Sequence, residues 1–114
     1  MGNHLRSIGG GEPPKGMVRP HAHHIVFKNG KGKEMRAILD KSKEILERHD
    51  IDWYKGKENL VWAPNTGHST ANARKVYEAL AKADAGGAGS RDSVVAALRK
   101  MGQHFADGTI DLLP

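Results

Sequence analysis

The chain has 114 residues, room for a single domain with a modest core. Lysine and arginine number 18 against 13 acidic residues, and the resulting +5 suits a polyanionic partner. With 38% hydrophobic and 27% charged residues the chain reads as folded rather than disordered, and the absence of cysteine excludes disulfides and every thiolate metal site.

Taken in order, residues 1–20 are punctuated by Gly9-Gly10-Gly11, Pro13-Pro14, Gly16 and Pro20, a linker or an extended arm laid over the domain, with a short helical turn around His4–Ile8. Nothing in the opening residues has the apolar core of a secretion signal, and no apolar run approaches the roughly 20 residues of a membrane span. Residues 21–114 form the domain. His21–Phe27 suggests a short strand, closed by a turn at Lys28-Asn29-Gly30-Lys31-Gly32. Residues 33–49 make the clearest amphipathic helix, with Met35, Ile38, Leu39, Ile45 and Leu46 at helical spacing. A connector from Asp50 to Gly56 is anchored by Ile51 and Trp53. Glu58–Ala63 alternates as a second strand, stopped by Pro64. A helix from His68 to Ala83 carries Val76, Tyr77 and Leu80 on its buried stripe. The last helix, Ser93–Phe105, is capped by Ser90 or Asp92, and Leu112-Leu113 in the tail docks back on the core.

The residues that carry chemistry are the doublet His23-His24 and the pair His68 and Asn72. Neighbours on a strand point to opposite faces, so one imidazole can hold a metal while the other takes a proton from water. His68 and Asn72 stand four apart and would share one face of a helix, a chelating arrangement. Arg19, Lys28 and Arg74 flank these residues and could clamp phosphates. His21, two before the doublet's second member's neighbour His23, is a candidate to orient a ligand. His4, His49 and His104 show no partner pattern and read as surface residues. Trp53 and Trp62 read as core, and no aromatic and basic interleaving of the single-strand-binding type stands out in the sequence.

The run Pro20-His21-Ala22-His23-His24-Ile25-Val26, then a helix, Asn59-Leu60-Val61-Trp62-Ala63-Pro64, and His68-Ser69 resembles the AHH branch of the HNH/endonuclease VII superfamily, over roughly residues 15–83. These nucleases occur largely as toxin domains at the C-terminal ends of bacterial polymorphic toxins. The resemblance implies an α+β fold, a ββα-metal (His-Me finger) core with extra helices. It implies that His23 binds the metal, that His24 is the general base and that Asn59 braces the loop. Related colicin-type enzymes carry two further His ligands nine and thirteen residues past that Asn, positions held here by His68 and Asn72. Asn72 is a departure, and its oxygen donor would favour Mg²⁺ or Mn²⁺ as the one divalent metal over Zn²⁺ or Ni²⁺.

The resemblance thus leads to the expectation of a metal-dependent endonuclease that cuts DNA with little sequence preference. It would be delivered as part of a larger effector polypeptide, would act in the cytoplasm of a target cell, and would be neutralised by a cognate immunity protein. Two alternatives stand beside it: an RNase of the same fold, and a non-catalytic basic nucleic-acid-binding module with a structural Zn²⁺. A metalloprotease is disfavoured, because no His-Glu-x-x-His occurs.

Overall fold

A computed structural model describes residues 1–114 as a mixed α+β arrangement of four helices and one two-stranded antiparallel sheet. In chain order these are α1 (Gly2–Leu5), β1 (Pro20–His24), α2 (Gly32–Arg48), β2 (Leu60–Pro64), α3 (Thr70–Asp84) and α4 (Arg91–Asp107). No helix is long and apolar enough to cross a membrane.

The helices form where apolar residues recur at helical spacing. In α2 the enclosed side chains are Met35, Ile38, Leu39, Ser42, Ile45 and Leu46, and charged residues occupy the rest of its surface. Asp50 takes a left-handed conformation just past the end of α2, which lets the Ile51 amide return to the Leu46 carbonyl at 2.9 Å and buries Ile51. Ser69 caps α3 by accepting from the Asn72 amide, and Ser90 caps α4 by accepting from the Ser93 amide. The buried face of α3 is Asn72, Ala73, Val76, Leu80 and Asp84, with Tyr77 only half-buried.

The register of the sheet pairs His21 with Ala63, Ala22 with Trp62, His23 with Val61 and His24 with Leu60. One face therefore carries His21, His23, Val61 and Ala63, and α4 packs along β2. Gly102 of α4 makes that approach possible: a Cβ there would stand 2.9 Å from Ile25 Cδ1. The other face carries Ala22, Leu60 and Trp62 and is covered by Leu5, which is 2% exposed, with Ile8 and Met17 beside it. The Trp62 indole donates to the Gly11 carbonyl at 3.1 Å. Residues 1–18 are thus an arm lying on the sheet, helical over Gly2–Leu5 with a wider turn at Arg6–Gly10.

Several boundaries differ from the sequence reading. β1 ends at His24 rather than Phe27. The backbone of Val26 pairs with the side chain of Asn59 in place of a ladder partner. Lys57–Asn59 is a 3₁₀ turn, so β2 starts at Leu60 and Pro64 is its last residue. His68 lies before α3, not on it, because Ser69 caps the helix; His68 and Asn72 do not share a helical face. In the tail Ile110 is the residue that buries, while Leu113 packs partly and Leu112 is exposed.

Candidate metal and phosphodiester site

His23 is wholly enclosed. Its ring lies 4.5 Å from that of His68 and 4.5 Å from that of Phe105, with Phe27 edge-on at 5.7 Å. Neither ring nitrogen has a hydrogen-bond partner in the protein. Buried imidazole nitrogens are ordinarily satisfied, so two orphans on one ring set His23 apart from the other histidines. Burial, reinforced by the neighbouring His68, His21 and His24, pushes its pKa down from 6.5 to about 3, so the ring is neutral and its lone pair is free.

His68 is exposed at the mouth of this cluster, and burial with the nearby His21 and Lys31 also lowers its pKa. Asn72 is buried. Its amide nitrogen donates to the Gly67 carbonyl at 2.9 Å and to Asp111 Oδ1 at 2.8 Å. Two acceptors facing one end of the amide fix its orientation, so the unpartnered enclosed atom is Oδ1. Only one nitrogen of a neutral imidazole carries a lone pair, so the enclosed unpartnered acceptors are one His23 nitrogen and the Asn72 amide oxygen, with the His68 ring 4.5 Å from that of His23. No group of three or more His, Asp or Glu side chains converges in metal-holding geometry.

His24 occupies the opposite face of β1 and a different environment. Its Nε2 donates to the Tyr54 carbonyl at 2.8 Å, and its ring lies parallel to Tyr54 at 5.8 Å. That bond fixes the tautomer, leaving Nδ1 as the lone-pair nitrogen. Nδ1 has no protein partner and is not among the enclosed orphans, so it reaches solvent. Burial lowers the pKa of His24, the Tyr54 carbonyl opposes that shift, and Lys28 and His21 add to it; the ring is neutral at neutral pH.

Asn59 ties these pieces together. Its Oδ1 accepts from the Val26 amide at 2.8 Å, and its Nδ2 donates to the carbonyls of Val26 at 3.1 Å and Trp53 at 2.7 Å. Its own carbonyl accepts from Ile25 at 2.9 Å. One buried amide thereby locks the end of β1 to the 50–56 connector.

Of the remaining candidates, Lys28 is exposed with its Nζ 4.8 Å from the Tyr54 ring centre, and Arg19 is exposed at the start of β1 with a left-handed backbone. Arg74 pairs with Glu34 of α2 at the surface. His21 is exposed on the same strand face as His23. Sequence reasoning missed Tyr54, whose carbonyl orients His24, and Asp111, which orients Asn72 from the far end of the chain. It also missed His49, which is tied to the buried Asp84 at 2.7 Å. No sequence pattern announces a backbone carbonyl or a partner 39 residues away. A comparison with protein-family models, with curated proteins and with solved structures finds no match for this chain.

Proposed function

We propose that this chain is a metal-dependent endonuclease that hydrolyses phosphodiester bonds of DNA with little sequence preference, on a ββα-metal core formed by β1, β2 and the start of α3. The observation that carries this reading is the contrast between consecutive histidines. His23 is sealed with both nitrogens unpartnered, while His24 has one nitrogen fixed and the other open to water.

His24 Nδ1 takes a proton from the water that attacks phosphorus, and the Tyr54 carbonyl on Nε2–H stabilises the imidazolium that results. Burial, with a smaller contribution from Lys28, keeps the imidazole neutral beforehand, ready to accept. Asn59 holds the strand end and the connector in fixed relation, so that the nitrogen stays aimed. A divalent cation held by His23, His68 and the Asn72 amide oxygen would supply positive charge to the scissile phosphate and the leaving oxygen. The absence of a base-reading element in this scheme is why little sequence preference is proposed. The same reading makes the chain the toxic portion of a delivered effector, acting in a target cytoplasm and held inactive in its producer by an immunity protein suited to a basic surface.

The test is digestion of plasmid and of single-stranded circular DNA with Mg²⁺ or Mn²⁺, with and without chelator. Cleavage that needs the metal and falls about 10²–10⁴-fold in His24→Ala is expected; activity indifferent to either change overturns the mechanism. The complete enclosure of His23 favours one second reading, a binding module with a structural Zn²⁺. In that case chelation unfolds the domain and no metal confers cleavage.

A further inference from the structure

We infer that the turn carrying Trp53 and Tyr54 is a stacking platform that makes single-stranded nucleic acid the substrate class of this site, an inference that rests on the nuclease reading above. Both aromatic residues are half-exposed, yet their backbone is fastened from within. The Trp53 carbonyl accepts from Asn59 at 2.7 Å and the Tyr54 carbonyl from His24 at 2.8 Å. Asp52 Oδ1 receives the amides of Tyr54 at 2.9 Å and Lys55 at 3.0 Å, closing the turn. At the turn's end Gly56 donates to the Asp52 carbonyl at 2.8 Å, at a spot where a Cβ would collide with that same oxygen. The two rings are therefore presented by a rigid support anchored to the very residues that make up the site.

Each ring carries an ammonium brought from elsewhere in the chain. Lys28 Nζ lies 4.8 Å from the Tyr54 centre, and Lys43 Nζ, from α2, lies 4.0 Å from the Trp53 centre. Lys43 Nζ also donates to the Lys28 carbonyl at 2.8 Å, which joins the two cations into one track. The track runs Lys43, Trp53, Tyr54, Lys28 and ends at the His24 ring, parallel to Tyr54. Two adjacent flat rings flanked by cations match neighbouring bases flanked by their phosphates, and only unpaired bases have faces free to meet a ring. An ammonium resting on a ring moves readily to an arriving phosphate, because a charge-assisted hydrogen bond outweighs an exposed cation–π contact. The stacked nucleotide's own phosphate is then held beside His24.

The experiment measures binding rather than cleavage, in chelator. Three short labelled ligands with equal numbers of phosphates are compared: oligothymidylate, an abasic strand and a duplex. The intact protein should bind oligothymidylate about tenfold or more tighter than the abasic strand, and tighter than the duplex. Tyr54→Leu, which keeps the carbonyl that holds His24, should erase the preference for the base-bearing strand, and Tyr54→Phe should keep it; thermal melting confirms that both variants fold. Lys43→Gln should weaken the thymidylate and abasic strands alike. Equal affinity for the thymidylate and abasic strands, tighter binding of duplex, or an undiminished preference in Tyr54→Leu overturns the platform. Base-dependent binding without cleavage under any metal would remove the nuclease reading and leave the platform standing. Metal-dependent cleavage that needs His24, without base-dependent binding, would remove the platform alone.

Discussion

Acid should loosen this protein through His23, and the size of the effect follows from the ring's surroundings. In the unfolded chain this imidazole takes up a proton near pH 6.5, whereas in the folded protein burial among Phe27, Phe105 and His68 lowers that value to about 3. Between those limits the unfolded state binds the extra proton, so folding stability is intact above about pH 6.5 and declines as pH falls. At about 1.4 kcal/mol per pH unit the loss from this one residue reaches about 2 kcal/mol at pH 5 and about 5 kcal/mol by pH 3. Against a total of roughly 5–15 kcal/mol for a domain, the loss at pH 5 removes a sizeable share of the stability, and the loss by pH 3 equals the whole of it at the low end of that range. Urea denaturation in chelator at pH 7.5, 6 and 5 measures the slope, and His23→Phe, which keeps a ring against the same neighbours but cannot titrate, isolates it. The stability of the variant should fall with pH less steeply than that of the unmodified protein, by about 2 kcal/mol at pH 5. Equal slopes in the two proteins, or direct observation of His23 titrating near pH 6.5, would refute the reasoning.

Four other outcomes follow from the same geometry. Mn²⁺ at a hundredfold excess over its dissociation constant should add about 2.7 kcal/mol to unfolding, read as a rise in melting temperature that His23→Phe abolishes. Asn72→Asp should destabilise the metal-free protein, because a carboxylate would face the Gly67 carbonyl and Asp111, and divalent metal should restore part of the loss in the same melting assay. The acid limb of the cleavage rate should lie below pH 6.5, since the pKa of His24 is lowered, and activity should persist where an ordinary histidine would already be protonated. Asn59→Ala strands the Val26 amide and the Val26 and Trp53 carbonyls, so a loss of about 3 kcal/mol or more is expected in chemical denaturation.

The helices were legible because Met35, Ile38, Leu39, Ile45 and Leu46, or Val94, Leu98, Met101 and Phe105, repeat at a period that sequence displays directly. The opposite orientations of His23 and His24 were legible for the same kind of reason, strand parity. The strand ends were not, because Asn59 replaces ladder pairing with side-chain bonds to Val26, a long-range event. The position of His68 turned on which of several polar residues caps α3; Ser69 does, and that single choice moves the imidazole off the helix. The cation–aromatic track was invisible because Lys28, Lys43 and the 53–54 pair are distant in sequence and meet only after α2 folds back on the connector. His49 looked solitary for the same reason: Asp84, its partner, closes the far end of the next long helix.

The sheet is clamped between jaws of unequal strength. On one side α4 and the main cluster bear on Ile25 and Ala63; on the other, Leu5 with a few half-buried neighbours shields Ala22, Leu60 and Trp62. Local breathing should therefore begin at the amino end, where peeling away one short turn uncovers an indole without disturbing the helical bulk. Because His24 sits on that same thin side, an easily lifted flap and the open imidazole nitrogen share one doorstep.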